Sequence, residues 1–389
     1  MSTPPALSLP QRVLMGPGPS SVPASVLSAM ALPTIGHLDP AFLRVMDELR
    51  DMLRTAFGTH SSCTMPMSGT GSAGMETCVV NLIEPGDRLL VGMNGVFGTR
   101  LAEVARRAGA EVTAVPCTWG RAVDAEQLAQ AAAGRSYKVV AVVHAETSTG
   151  VLQPIEPIKA LADRLGALLL VDTVTSLGGV PVELDRRGID ATYSGTQKCL
   201  SCPPGLSPIS FSPRAQAAFS SRKAPVQSWY LDLNLIGQYW GQERAYHHTA
   251  PINAIYGLHE ALRLVVSEGI EARAQRHVVN ARALAAGLAA LGLELIVPEA
   301  ERLPPLTLVR VPDGVNEAKV RQHLLAEYDL EIGGGLGDFK GKAWRIGLMG
   351  HGSSRANVML CLAAISDALA AQGVRVSGAD ALEAARRGY

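Results

Sequence analysis

A carboxylate and an amine, each set just past a short apolar run, are the residues of this chain whose types and spacing suit a defined chemistry. Asp172 follows Ala-Leu-Leu-Leu-Val at 167–171. It therefore belongs at the carboxyl end of a buried parallel strand, where open α/β sheets place their ligands. After a second short strand comes Ser194-Gly195-Thr196-Gln197-Lys198, whose lysine lies 26 residues beyond the acid. An acid and a lysine delivered to one sheet edge suit a pyridoxal phosphate site. There the lysine forms the Schiff base and the carboxylate holds the proton on the pyridinium nitrogen, which makes the ring an electron sink. When an incoming amine displaces it, Lys198 becomes a free base able to move the α-proton. Taken singly, Asp172 could equally be a helix cap and Lys198 a solvated surface amine.

Such a cofactor needs a phosphate cradle. Ser68-Gly69-Thr70-Gly71-Ser72 supplies hydroxyls and small residues just before an apolar helical segment at 75–82, and free amides at a helix start bind phosphate. The stretch from Gly69 to Gly74 also matches GxGxxG, which raises a nicotinamide oxidoreductase as a rival. That fingerprint requires a clear strand before it and an acid at the end of the next one. Here Cys-Thr-Met-Pro-Met, broken by Pro66, precedes it, and the following strand ends at Gly92.

The elements that must hold these residues follow a βαβ rhythm. Asp39-Pro40 starts a helix whose apolar residues Phe42, Val45, Met46, Leu49, Met52 and Leu53 recur at helical spacing and which stops near Gly58. Strands are expected near 88–92, 111–116, 138–146, 167–172 and 190–195, with helices at 98–108, 124–133 and 154–165 between them. Continuous Val/Leu runs alternating with helices imply a parallel sheet buried on both faces. Long helices are expected at 255–268 and 270–291. A smaller α/β portion follows, with strands at Leu-Glu-Leu-Ile-Val, Leu-Thr-Leu-Val-Arg-Val and Arg-Ile-Gly-Leu-Met around a helix at 316–327. The expected division is an extended arm at 1–20, a large cofactor domain at 21–268 and a small domain at 269–389. Gly333–335 reads as a flexible turn.

Lys plus Arg number 35 and Asp plus Glu number 35, so no overall field draws in nucleic acid or anionic membrane. No apolar run approaches the ~20 residues of a bilayer span. With six cysteines in 389 residues there is no disulfide framework, and reduced thiols in the cytoplasm are the expectation. Cys199 and Cys202 form a lone CxxC, read as two buried small residues rather than a redox or metal pair. His247 and His248, being adjacent, point apart and are expected beside a phosphate or in a structural role. No metal site is expected.

Jointly, the sequence resembles the class V aminotransferases of the fold-type I pyridoxal phosphate enzymes, in the alanine/serine:glyoxylate (or pyruvate) branch. The likeness rests on GPGPS at 16–20, IGH at 35–37, SGTGS at 68–72, NGVFG at 94–98, HAETSTGVLQP at 144–154, VDTVTSLGG at 171–179, YSGTQK at 193–198, PPG at 203–205, YHHT at 246–249 and GGLG followed by RIGLMG at 345–350. It implies an α/β fold with a mostly parallel seven-stranded sheet sandwiched by helices and a smaller C-terminal α/β domain. It implies pyridoxal 5'-phosphate as cofactor, phosphate contacts from Thr70, Gly71 and Ser72 with Gln197 beside them, and Phe97 stacking on the ring. Val174 would pack under the ring, and Thr147 would touch the ring oxygen or the substrate. Tyr246 and Thr249 would reach the phosphate of a neighbouring subunit, making a homodimer with shared active sites. Arg345 would clamp the substrate carboxylate bidentately, with His37 near the substrate.

The resemblance further implies ping-pong transamination through Lys198 from alanine or serine to glyoxylate. A ureidoglycine:glyoxylate enzyme or a mainly serine:pyruvate enzyme is the runner-up, and a catalytically idle binding module on the same fold is the alternative of another class. Two positions depart from the mammalian pattern: Phe97 stands where Trp is usual, and Ser72 where His is usual. Between Asp329 and Gly352 there is no cysteine, which counts against the desulfurases of the same class.

Overall fold

In the computed structural model, which describes residue 3 and residues 5–389, a seven-stranded sheet forms the centre of the larger part of the chain. Its spatial order is Cys63–Ser68, Leu206–Phe211, Ala191–Tyr193, Leu168–Asp172, Val139–Val143, Arg88–Met93 and Glu111–Pro116. Successive neighbours from Ala191–Tyr193 onward pair in parallel, and Leu206–Phe211 alone runs against both its neighbours. The central strands Val139–Val143 and Leu168–Asp172 are buried at every residue. Helices cover both faces, so these strands need no polar alternation.

The helix expected after Asp39 spans Pro40–Phe57. Asp39 caps it by accepting from the Ala41 amide at 2.7 Å, Pro40 takes the first position, and Gly58 ends it at φ 66°. Phe42, Met46, Leu49, Leu53 and Phe57 are fully buried, and each such side chain contributes roughly 1.5–3 kcal/mol over leaving it in water. The later helices run Val96–Arg107, Ala125–Ala132, Glu156–Arg164, Ile252–Glu268, Ile270–Ala290 and Glu317–Tyr328. Gly269 turns between the two longest at φ 87°.

Four sequence expectations need correction. A strand does precede the glycine run: Cys63–Ser68 includes Pro66 and pairs on one side only, with Leu206–Phe211. An edge strand has a free side on which a proline costs no ladder bond. The arm is not wholly outside the core. Val13–Leu14 pairs in parallel with Leu330–Glu331, and Met15 is fully buried among the C-terminal apolar residues. Leu-Glu-Leu-Ile-Val at 293–297 makes a single bridge, Leu295 to Val309, instead of a strand. Finally, Gly333–Gly334 is no free turn, since it pairs with Arg345 and Trp344 of Ala343–Gly347.

The apolar residues fall into two principal clusters. One runs from Val26 to Val265 around the large sheet. The other joins Met15 to residues of 283–385 around the three-stranded sheet Leu306–Arg310, Ala343–Gly347 and Gly333–Gly334.

Candidate active site

Register brings the acid and the lysine together. Asp172 ends its strand directly opposite Tyr193 of the neighbouring strand, and Lys198 stands five residues after Tyr193. Tyr193 donates its hydroxyl to Asp172 Oδ2 at 2.7 Å, and the Val174 amide donates to Oδ1 at 2.8 Å. Burial nevertheless dominates and pushes the Asp172 carboxyl up to about 6, against the pull of those two donors. Burial acts on Lys198 in the opposite sense and lowers its amine to about 8, because desolvation disfavours whichever form is charged.

The end of the arm closes over the lysine. Lys198 Nζ donates to the Pro17 carbonyl, and Ser20 Oγ donates to the Lys198 carbonyl at 2.6 Å. A Cβ on Gly18 would sit 2.7 Å from Lys198 Nζ, at φ 107°. The left-handed φ favours glycine there, and the absent side chain leaves the room that the Lys198 amine fills, so the GPGPS stretch lies against the site.

The glycine run leads into a helix, Gly71–Leu82, with Thr70 at its N-cap and no side-chain cap bond. Its first amides are therefore left for an outside acceptor. A Cβ on Gly71 would lie 3.3 Å from Val174, which brings this helix start, Val174 and Asp172 into one cradle. Gln197 carries a buried Oε1 with no hydrogen-bond partner among the described residues. Thr70 and Ser72 are exposed at the mouth. A phosphate at the helix start and a ring between Val174 and the NGVFG segment fit these residues.

Phe97 sits on the first turn of Val96–Arg107, with the Arg100 guanidinium 5.0 Å from its ring centroid. Arg345 crosses from the smaller sheet. It is buried, and it donates Nε to the Gly334 carbonyl at 2.7 Å and Nη1 to the Thr147 carbonyl at 3.3 Å. No carboxylate forms an ion pair with it among the described residues. Burial lowers it to about 10 while Glu146 pulls the other way, so it stays cationic at neutral pH.

The remaining sequence candidates lie further out. His37 packs against Tyr239 and Tyr246, with ring centroids at 6.5 and 5.2 Å, and belongs to that aromatic group rather than to the Lys198 cluster. Tyr246 is 62% exposed, and Thr249 is exposed as well. His248 meets Ser68 Oγ at 2.9 Å and His247 at 2.8 Å, while His247 stacks on Trp229. Cys199 and Cys202 are buried with thiols pushed up to about 12 by desolvation, which leaves them unreactive. Tyr193, Glu146 and Pro17 carry no role in the sequence reading. Tyr193 stands one position before SGTQK with no spacing rule to mark its hydroxyl, and Glu146 hides inside HAETSTG.

With the sheet order, the acid–lysine pair and the glycine cradle in place, comparison with known proteins identifies the class. The family model for aminotransferase class V matches residues 13–337, and the chain belongs to this family of pyridoxal 5'-phosphate enzymes with the fold-type I architecture. A solved alanine–glyoxylate aminotransferase from Nostoc sp. superposes with a TM-score of 0.93 at 48% identity, covering 95% of this chain and 98% of that one. A ureidoglycine–glyoxylate aminotransferase structure from Bacillus subtilis superposes with a TM-score of 0.96 at 39% identity, covering 98% and 99%. The alanine–glyoxylate aminotransferase of Oryctolagus cuniculus is 41% identical over 367 residues, 93% of this chain and 94% of its own. The protein is an aminotransferase. Among the described residues no helix is long and apolar enough to cross a membrane.

Proposed function

We propose that this aminotransferase moves the amino group of a small monocarboxylic amino acid, alanine or serine, to glyoxylate, giving glycine and pyruvate or hydroxypyruvate. The observation that carries the reading is the grouping of one buried guanidinium, Arg345, with the amine of Lys198 and the carboxylate of Asp172. When bound, pyridoxal phosphate supplies an electron sink for the bond broken at the substrate α-carbon.

The residues divide the remaining work. Thr70, Gly71 and Ser72 hold the phosphate with Gln197 beside them. Asp172 keeps a proton on the ring nitrogen, and Val174 and Phe97 bracket the ring. Thr147 lines the substrate side. Arg345 fixes the carboxylate so that the α-carbon faces Lys198. Lys198 anchors the cofactor and, when freed, takes the proton from the α-carbon and returns it. An amine lowered to about 8 suits that exchange near neutral pH. The other charges that bear on Lys198 include Asp172 and Glu146. Among the described residues Arg345 is the one carboxylate clamp evident in the site, which favours monocarboxylic donors.

Support for a homodimer with shared sites comes from the outward-facing aromatic patch of Trp229, Tyr230 and Tyr246, exposed by 60%, 40% and 62%. Patches of this kind mark association surfaces, and Tyr246 and Thr249 would reach a neighbour's phosphate from it. His37 would then contribute at the rim. The free cysteines suit a cytoplasmic setting. The ureidoglycine reading is kept because relatives of both names cover nearly the whole chain.

The test is a panel of amino donors against glyoxylate and pyruvate, with product amino acids quantified. Alanine and serine are expected to exceed aspartate and glutamate, with glyoxylate the better acceptor. Ureidoglycine outrunning both small donors, or aspartate doing so, would overturn the assignment.

A further inference from the structure

Glu146 lies wholly buried beside the site, has no assigned contact of its own with cofactor or substrate, and yet organises three residues that do: Phe97, Thr147 and Arg345. Its Oε2 accepts from the Phe97 amide at 3.0 Å and the Gly98 amide at 3.4 Å, and its Oε1 accepts from the Ser148 amide at 3.0 Å and the Ser148 hydroxyl at 2.5 Å. Ser148 Oγ in turn accepts from the Val96 amide at 2.9 Å. The helix Val96–Arg107 has Gly95 at its N-cap and no cap bond of its own. Its first amides are therefore satisfied by a carboxylate and a hydroxyl from a different segment, where a negative charge is favoured. A Cβ on Gly95 would come within 2.4 Å of Glu146 Cδ and 2.5 Å of Ser148 Oγ, so glycine there lets the NGVFG loop close onto the carboxylate.

The backbone of the same residue completes the device. The Glu146 carbonyl accepts from Thr149 and Gly150 at 3.2 and 2.8 Å. That closes the tight turn which carries Thr147, whose carbonyl receives Arg345 Nη1.

We propose that Glu146 is a positioning residue for the reaction: its carboxylate fixes Phe97 over the cofactor ring and its turn fixes the carbonyl that aims Arg345 at the substrate carboxylate. The proposal rests on the reading of Phe97 and Arg345 given above. Four donors converge on two oxygens, so glutamine in its place keeps the shape but presents an NH2 where an acceptor is required. The mismatch is transmitted to two groups that must be held within a fraction of an ångström.

The experiment compares wild type, Glu146→Gln, Arg345→Lys, Phe97→Leu and the double variant Glu146→Gln/Arg345→Lys as holoenzymes. The readouts are KM and kcat for alanine and glyoxylate and the visible circular dichroism of the bound cofactor. Glu146→Gln is expected to raise both KM values together by about ten-fold, to change kcat much less, and to weaken the dichroic band. The double variant is expected to be little worse than Arg345→Lys alone, since coupled residues are non-additive. KM values and dichroism unchanged with only a lowered melting temperature, or fully additive KM effects, would overturn the proposal. Should Glu146→Gln fail to fold, Ser148→Ala decides: a smaller rise in both KM values supports the proposal, and no rise overturns it. If Arg345→Lys and Phe97→Leu are themselves silent, the underlying site reading is wrong and the proposal falls with it. That result is distinguishable because the single reference variants report it directly.

Discussion

Asp172 and Lys198 are both buried, lie close enough to feel each other's charge, and are driven in opposite directions by the same loss of water. The folded Asp172 carboxyl stands at about 6 against 3.8 in the open chain, so its ionised form is disfavoured by folding. At about 1.4 kcal/mol per unit this is a cost of order 3 kcal/mol in cofactor-free protein, fully present above pH 6 and relieved as pH falls toward 3.8. A cationic pyridinium next to the carboxylate offsets that cost. Cofactor-free Asp172→Asn is therefore expected to melt higher than cofactor-free wild type above pH 6, while the turnover of the cofactor-loaded variant drops by a factor on the order of 10²–10⁴. Thermal melts and steady-state rates check the pair of effects.

Lys198 gives the complementary pH dependence. Its folded value of about 8 lies below the 10.5 of a free lysine, so the ammonium form carries the folding cost, present below pH 8 and lost as pH rises toward 10.5. Uptake of pyridoxal phosphate by cofactor-free protein requires the neutral amine. Its rate, followed by visible absorbance, is expected to rise through a midpoint near 8. A midpoint near 10.5 would show that burial does not act on this group.

At the scale of elements, the sequence was most readable where local chemistry and tertiary structure agree. Asp39, Pro40 and Gly58 bracket one helix by capping and a left-handed terminus, and the structure places its ends there. Asp39→Ala is expected to cost about 1 kcal/mol in denaturant melts with the visible spectrum unchanged. Where long-range pairing decides, local signals misled. Pro66 argued against a strand that survives because it is an edge, and Leu293 to Val297 looked like a strand but meets the edge strand Leu306–Arg310 only through the bridge of Leu295 to Val309. The site was legible as Asp172, Lys198 and the glycine run because each sits where a strand ends or a helix begins. Tyr193, Glu146 and Pro17 were not, because their roles depend on register and close approach between segments far apart in sequence.

Across the whole molecule, the two apolar clusters are joined at the site. The arm pairs with Leu330–Glu331 and then turns its Pro17 carbonyl to Lys198. The helix Ile270–Ala290 adds a second tie. Its buried Arg273 donates to the carbonyls of Gly178 and Cys199 at 2.9 and 2.8 Å, and its His277 accepts from the Gly350 amide at 2.9 Å. Burial holds His277 down at about 3, so it stays a neutral acceptor throughout the working range. The segments that follow Asp172 and Lys198 are thus pinned to the helix that contributes to the smaller cluster. If active sites are shared across a homodimer, mixing Lys198→Ala with Tyr246→Ala under conditions of subunit exchange is expected to restore activity above the sum of the two. A mixture that stays additive would place Tyr246 in its own subunit's site or outside the site altogether.

The central claim, an amino group carried in two separable halves with Lys198 anchoring the cofactor and moving the proton, is tested most directly by a spectral half-reaction. Alanine or serine added to the holoenzyme without acceptor is expected to convert the visible cofactor band to that of the amine form, and glyoxylate added next is expected to restore it. Lys198→Ala is expected to lose the covalent band and both conversions. Holoenzyme that keeps its band unchanged with every amino donor, or a Lys198→Ala variant that completes the cycle at the wild-type rate, would contradict it.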